Sequence, residues 1–154
     1  MTDWVAEEHR YLFQNYGRQP VVIERGEGTR VWDVEGNEYL DFVAGVAVNT
    51  LGHAHPVVTG AIAKQAATLI HISNHFYSKP MIELARLLVE HSCLDRVFFC
   101  NSGTEAVEGA IKLARRWGHD TKGGAHEIIT AVDSFHGRSM GALAATGNAR
   151  YQEP

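Results

Sequence analysis

The sequence predicts an α/β protein with a hairpin-containing lobe at its start and part of a parallel sheet after it. Three patterns carry this. β-Favouring residues flank a Gly-Asn turn at 36–37. Apolar residues recur at helical spacing in three later segments. Two short apolar runs, 97–100 and 127–132, enclose the third of those segments, giving the order strand, helix, strand.

Residues 1–19 are polar and aromatic and suit a short helix followed by a loop. Val21-Val22-Ile23 suits a short strand. Thr29 to Val34 and Glu38 to Phe42 then face each other across Glu35-Gly36-Asn37 as a hairpin. A Gly-rich loop from Ala44 to Pro56 follows. The first helix begins at Pro56, where a missing N–H costs nothing, and carries Val58, Ile62, Ala66 and Leu69 on one face. The second begins at Pro80 and aligns Met81, Leu84, Leu88 and His91.

The third aligns Ala106, Ala110, Leu113, Ala114 and Trp117. Its charges suit the helix dipole, with Glu105 and Glu108 early and Arg115 and Arg116 late. Gly118 is expected just past its end, and Lys122-Gly123-Gly124 forms a loop. The runs Val97-Phe98-Phe99-Cys100 and Glu127 to Val132 are expected as buried strands joined by a right-handed crossover. The hairpin-rich start suggests a separate N-terminal lobe. The final residues, Gly147 to Pro154, read as a cut inside a larger domain.

Composition narrows the function classes. Of 154 residues, 45% are hydrophobic and 21% charged, as in ordinary globular proteins. The net charge of −4, with no basic run beyond Arg115-Arg116, argues against nucleic acid as a partner. No apolar stretch reaches membrane-span length, and the acidic N-terminus does not read as a signal peptide. Cys93 and Cys100 are expected as buried free thiols, which suits a reducing cytoplasm.

Asn101-Ser102-Gly103-Thr104-Glu105 opens the third helix after an apolar run. The unpaired N–H groups and positive dipole of such a helix start favour a phosphate, and Gly103 permits close approach. Ser102-x-x-Glu105 is equally a capping box, which needs no ligand. Neither a Walker A loop nor a Gly-x-Gly-x-x-Gly fingerprint is present. Asp133-Ser134-Phe135-His136-Gly137-Arg138 follows the next run. Phe135 can cover a planar ring and Arg138 can clamp a carboxylate, or the segment is a surface turn. His53 and His55, like His71 and His75, lack a nearby third ligand. Capping or hydrogen-bonding roles are expected for His53 and His55, and a break at Ser73-Asn74 argues against a metal held by His71 and His75.

Taken together, these segments resemble the class III aminotransferases of fold type I, and within them the branch acting on acetylornithine. The resemblance rests on Val31 to Phe42, Gly45 to His53, His71-Ile72-Ser73-Asn74, Asn101 to Ala106 with Ala110 to Arg115, and Phe135 to Arg138. It runs from about residue 20 to the end. It implies an incomplete fold type I architecture, with residues 1–50 from the small domain and 51–154 from the first part of the large cofactor-binding domain. It implies pyridoxal 5'-phosphate as cofactor, with Ser102, Gly103 and Thr104 at its phosphate and Phe135 on its ring. The resemblance also implies that Arg138 receives the substrate α-carboxylate and that the Gly45–His55 loop lies near the interface of a homodimer.

The resemblance further implies transfer of a terminal amino group from acetylornithine to 2-oxoglutarate, in arginine biosynthesis. Val46 stands where the similar ornithine δ-aminotransferases carry tyrosine, which leans towards the acylated substrate. Ornithine, succinylornithine or another ω-amino acid remains an alternative. The lysine to which the family tethers its cofactor lies beyond residue 154, so no catalytic residue is assigned here and these residues alone are expected to be inactive. Readings without catalysis are a phosphate-binding module and an interaction domain that dimerises without cofactor.

Overall fold

The computed structural model describes residues 2–153, which form two compact units, one up to Phe76 and one from Tyr77. In the first unit, α1 (Trp4–Tyr11) starts where Asp3 Oδ1 accepts the Ala6 N–H at 3.0 Å. A three-stranded antiparallel sheet follows in the order β1 (Ile23–Glu27), β2 (Arg30–Asp33), β3 (Glu38–Leu40). The expected hairpin is β2–β3, with Val31 opposite Tyr39.

Asp33 builds the turn of this hairpin. Its Oδ1 accepts the N–H groups of Glu35 (3.0 Å) and Asn37 (2.8 Å). Its Oδ2 accepts Asn37 Nδ2 (2.9 Å) and the Tyr39 hydroxyl (2.7 Å). The Asn37 side chain and these other donors hold the carboxyl at a pKa of about 2. Gly36 supplies the positive φ the turn requires, +88°.

β1 lies later than Val21-Val22-Ile23 foretold, sharing only Ile23 with that run and continuing through Gly26 and Glu27. Glycines argue locally against a strand. Gly26 is nevertheless needed, because a Cβ there would come within 2.6 Å of His53 Cγ. A one-turn segment, α2 (Ala44–Ala47), interrupts the Gly-rich loop, and α3 (Pro56–Thr68) begins at Pro56 as expected.

The second unit contains α4 (Lys79–Glu90), α5 (Gly103–Thr121), α6 (Met140–Ala145) and α7 (Ala149–Gln152). α4 and α5 are the expected second and third helices, whereas α6 and α7 were not foreseen. Gly118 does not end α5. It is buried inside the helix, which runs three residues further. A Cβ at Gly118 would lie 2.3 Å from the Ala125 carbonyl oxygen, so the glycine serves the returning chain rather than the cap.

The apolar runs 97–100 and 127–132 flank α5 in the expected order but are not strands. A parallel strand needs neighbours delivered by a crossover. Among the described residues none reaches either run, and the two do not pair with each other. Phe98 instead lies against α5 at Gly109, while Ile129 is 98% exposed. Cys93 and Cys100 are free, as expected, but exposed rather than buried, because nothing among the described residues covers the segments that carry them. The molecule is therefore mixed α/β, with its only ladders among the described residues in the small antiparallel sheet. No described helix is long and apolar enough to cross a membrane.

Candidate functional site

The N-terminus of α5 carries the first of the two motifs singled out in the sequence, Asn101 to Glu105. Ser102 is extended (φ −154°, ψ 162°), and its Oγ accepts the Glu105 N–H at 3.2 Å. Glu105 Oε2 reaches back to the Asn101 N–H at 2.8 Å. The expected capping box is therefore present, displaced by one residue on its return arm. It occupies the Ser102 hydroxyl, which points its proton towards Glu105 Oε2 at 3.4 Å.

Next to this cap the helix start is open. An added Cβ at Gly103 would meet no atom within 4 Å. Among the described residues, no hydrogen bond engages the N–H of Gly103, the N–H of Thr104 or the Thr104 hydroxyl. Unpaired N–H groups and the positive dipole end suit an anion with three oxygens. A phosphate group fits here.

The segment 133–138 is held from both sides. Asp133 takes φ +60° and Gly137 φ +131°. The Asp133 N–H donates to the Gly147 carbonyl at 2.8 Å, and the Gly147 N–H donates to the Ser134 carbonyl at 3.0 Å. Thr146, 1% exposed, accepts the His136 N–H at 3.1 Å and donates towards the carbonyls of Gly137 and Ala142. Phe135 presents an exposed ring, and Arg138 is exposed beside Ser139.

Glu108 of α5 grips the far end of this segment. Its Oε1 accepts the Ser139 hydroxyl at 2.5 Å and the Ala142 N–H at 3.1 Å. The Ser139 hydroxyl, then the Ala142 and Gly141 N–H groups, lower its pKa against the opposing effect of burial. Glu108 follows Gly103 by five residues, a rise of about 7.5 Å along the helix axis. The residue after Arg138 is thus anchored to the same helix, roughly one and a half turns from Gly103. The tertiary structure ties Ser139 and the start of α6, which follow the 133–138 motif, to the helix that the 101–105 motif opens. Glu108 and Thr146 escaped the sequence reading. Glu108 looked like a dipole-matching charge, and Thr146 carried no local signal.

In the first unit, Asp41 organises the loop before α3. Its Oδ1 accepts the N–H groups of Val43 (2.9 Å) and Ala44 (2.8 Å), and its Oδ2 lies 2.6 Å from His53 Nε2. The Ala44 N–H, the His53 ring and the Val43 N–H lower the Asp41 pKa. His53 also exchanges backbone hydrogen bonds with Gly28. The same residues line a half-open pocket of about 280 Å³, with Gly28, Asp41, Asn49, Gly52 and His53 among its walls.

Between the anchors, Ala44, Gly45, Val46 and Ala47 all have positive φ, from 48° to 63°. A left-handed turn costs roughly 1–2 kcal/mol for each residue bearing a Cβ. His53 thus has the hydrogen-bonding role expected of it. His55, expected in the same kind of role, precedes the first turn of α3 but makes no side-chain capping bond to it.

The aminotransferase class III family model matches residues 11–154. The acetylornithine aminotransferase of Caldanaerobacter subterraneus subsp. tengcongensis is 56% identical over 150 residues, 97% of this chain and 38% of that protein. That of Methanothermobacter thermautotrophicus is 54% identical over 147 residues, 96% of this chain and 36% of that protein. The crystal structure of the ornithine aminotransferase from Toxoplasma gondii superposes with a TM-score of 0.90 at 34% identity, over 99% of this chain and 37% of that one. The N-acetylornithine aminotransferase from Stenotrophomonas maltophilia gives a TM-score of 0.73 at 44% identity, over 86% and 36%. The chain thus spans little more than a third of the length of these relatives.

Proposed function

We propose that this chain, which belongs to the class III aminotransferases, is part of an enzyme moving the terminal amino group of acetylornithine to 2-oxoglutarate. The observation that carries this reading is the open start of α5, with its unengaged donors on Gly103 and Thr104. The pyridoxal 5'-phosphate phosphate suits that cradle in charge and in number of acceptors. When bound, pyridoxal phosphate supplies the electron sink for amino transfer.

The chain's own residues bind and orient. Gly103 and Thr104 hold the phosphate. Ser102 supports them by fixing the first turn through its cap to Glu105. Phe135 offers its exposed ring to the face of the cofactor ring. Arg138 takes the α-carboxylate, which donor and acceptor share, in a planar two-bond fork. Residues 1–50 belong to the small domain and 51–154 to the large one. The working unit is a cytoplasmic homodimer, and the lysine and remaining site residues come from outside this chain.

The names of the relatives support acetylornithine as amino donor. Val46 agrees, since an aliphatic residue offers no hydroxyl to a second charged group. Ornithine is the second reading, favoured by the TM-score of 0.90 with an ornithine aminotransferase.

The test uses the full-length protein. Amino transfer to 2-oxoglutarate is measured from acetylornithine, succinylornithine and ornithine, with acetylornithine expected to give the highest kcat/KM. Thr104→Ala removes a hydrogen bond to a charged group, so the cofactor dissociation constant should rise about tenfold or more. A cofactor-loaded protein that transfers no amino group from any of these donors overturns the proposal.

A further inference from the structure

Arg138 has no secondary structure of its own to fix it; it sits in the link between the 133–137 turn and α6. Its neighbour Ser139 is the residue before the first turn of α6, yet its side chain makes no capping bond to that helix. The Ser139 hydroxyl donates to Glu108 instead, and Glu108 accepts the first free N–H groups of α6 in its place. A side chain from α5 therefore caps α6 from 31 to 34 residues away.

The close approach is built into the chain. A Cβ at Gly141 would lie 2.7 Å from a Glu108 carboxylate oxygen, so residue 141 has to be small. Lys112, one turn further along α5, adds a favourable charge to the Glu108 carboxylate. On the other side of Arg138, Thr146 ties down His136 and Gly137.

We propose that Glu108 is the positioning residue for Arg138. By holding Ser139 and the start of α6 to the helix that carries Gly103 and Thr104, it sets the distance between the guanidinium and the cofactor cradle. This rests on Arg138 being the carboxylate clamp. Glu108 itself touches neither substrate nor cofactor. The physical reason is geometric. A two-bond fork works only within a narrow range of position and angle, and a displacement of about 1 Å costs far more than the lost contact alone suggests.

The test uses the full-length holoenzyme and measures the dissociation constant of glutarate, a dicarboxylate that occupies the site without reacting. Steady-state KM and kcat for acetylornithine and 2-oxoglutarate are measured alongside. Glu108→Ala should weaken glutarate binding and raise both KM values by about tenfold. kcat should change much less, and the cofactor's visible spectrum and affinity should stay as in the parent. Glu108→Gln keeps an oxygen acceptor in place and should recover most of the loss. In an Arg138→Ala background, Glu108→Ala should add nothing, since the group it positions is gone.

Should Glu108→Ala fail to fold, Ser139→Ala removes one of the three bonds and should show a loss of about threefold in the same direction. The proposal is overturned if Arg138→Ala weakens glutarate binding and Glu108→Ala does not. It is equally overturned if Glu108→Ala costs as much without Arg138 as with it. If Arg138→Ala leaves glutarate binding intact, the clamp reading fails first and the role of Glu108 falls with it.

Discussion

Asp33 and Glu108 do similar work at different range. Each carboxylate gathers backbone N–H groups and a hydroxyl around itself, and each holds a segment in one conformation. Every partner of Asp33 lies within six residues of it. The loop partners of Glu108 lie 31 and 34 residues away. The Asp33 turn can therefore form as soon as its own hairpin does. The 133–139 segment draws on partners further along the chain, Thr146 and Gly147 at one end and Glu108 of α5 at the other. A site whose two halves depend on such long-range ties is more exposed to single substitutions than a local turn.

Thr146→Val should have the largest effect. The substitution keeps the volume but leaves the His136 N–H without its acceptor and removes two donor contacts. The free energy of opening the amides of 134–139 should fall by about 1–3 kcal/mol. Hydrogen exchange on the full-length protein reads this directly, with the Asp33 turn as internal reference. Equal protection at 134–139 in parent and variant would break the comparison.

Acid sharpens it next. Both carboxylates have lowered values in the folded chain, so each contributes stability that is complete above the ordinary carboxylate range and is lost as pH falls through its folded value. For Asp33 that loss spans from about pH 4 down to about 2. In an acid titration followed by hydrogen exchange, the Asp33 turn should outlast the 133–139 segment. Simultaneous opening of both would mean that they belong to one cooperative unit.

Asn37→Ala should do least. It removes one side-chain bond to Asp33, while the backbone N–H of residue 37 still donates to Oδ1. About 0.5–1.5 kcal/mol of local protection at the turn should be lost, with none lost at 134–139. Any change there would deny that the two segments are independent.

Range also explains what could be read without a structure. The β2–β3 hairpin, the Pro56 start of α3 and the Ser102 cap of α5 were all legible, because the residues that decide them stand within a few positions of one another. The runs 97–100 and 127–132 were misread as paired strands. Their apolar character says that they want cover, but a ladder requires a neighbour, and no described segment supplies one. Gly118 was misread for a related reason. A glycine near a helix end has two uses, and only the 2.3 Å approach of the Ala125 carbonyl shows which applies.

The sequence by itself determined the local elements, the anion-favouring start of α5 and the kinship of its motifs with a transaminase family. Helix caps, Asx turns and proline starts are short-range hydrogen-bond and steric preferences, so they are written in adjacent residues. Only the tertiary structure decided that Glu108 caps α6, that Thr146 ties the 133–138 segment, and that Asp41 and His53 hold four residues in a left-handed turn. Each of these joins groups nine or more residues apart. Such contacts depend on where whole elements come to rest, and no spacing in the chain encodes that.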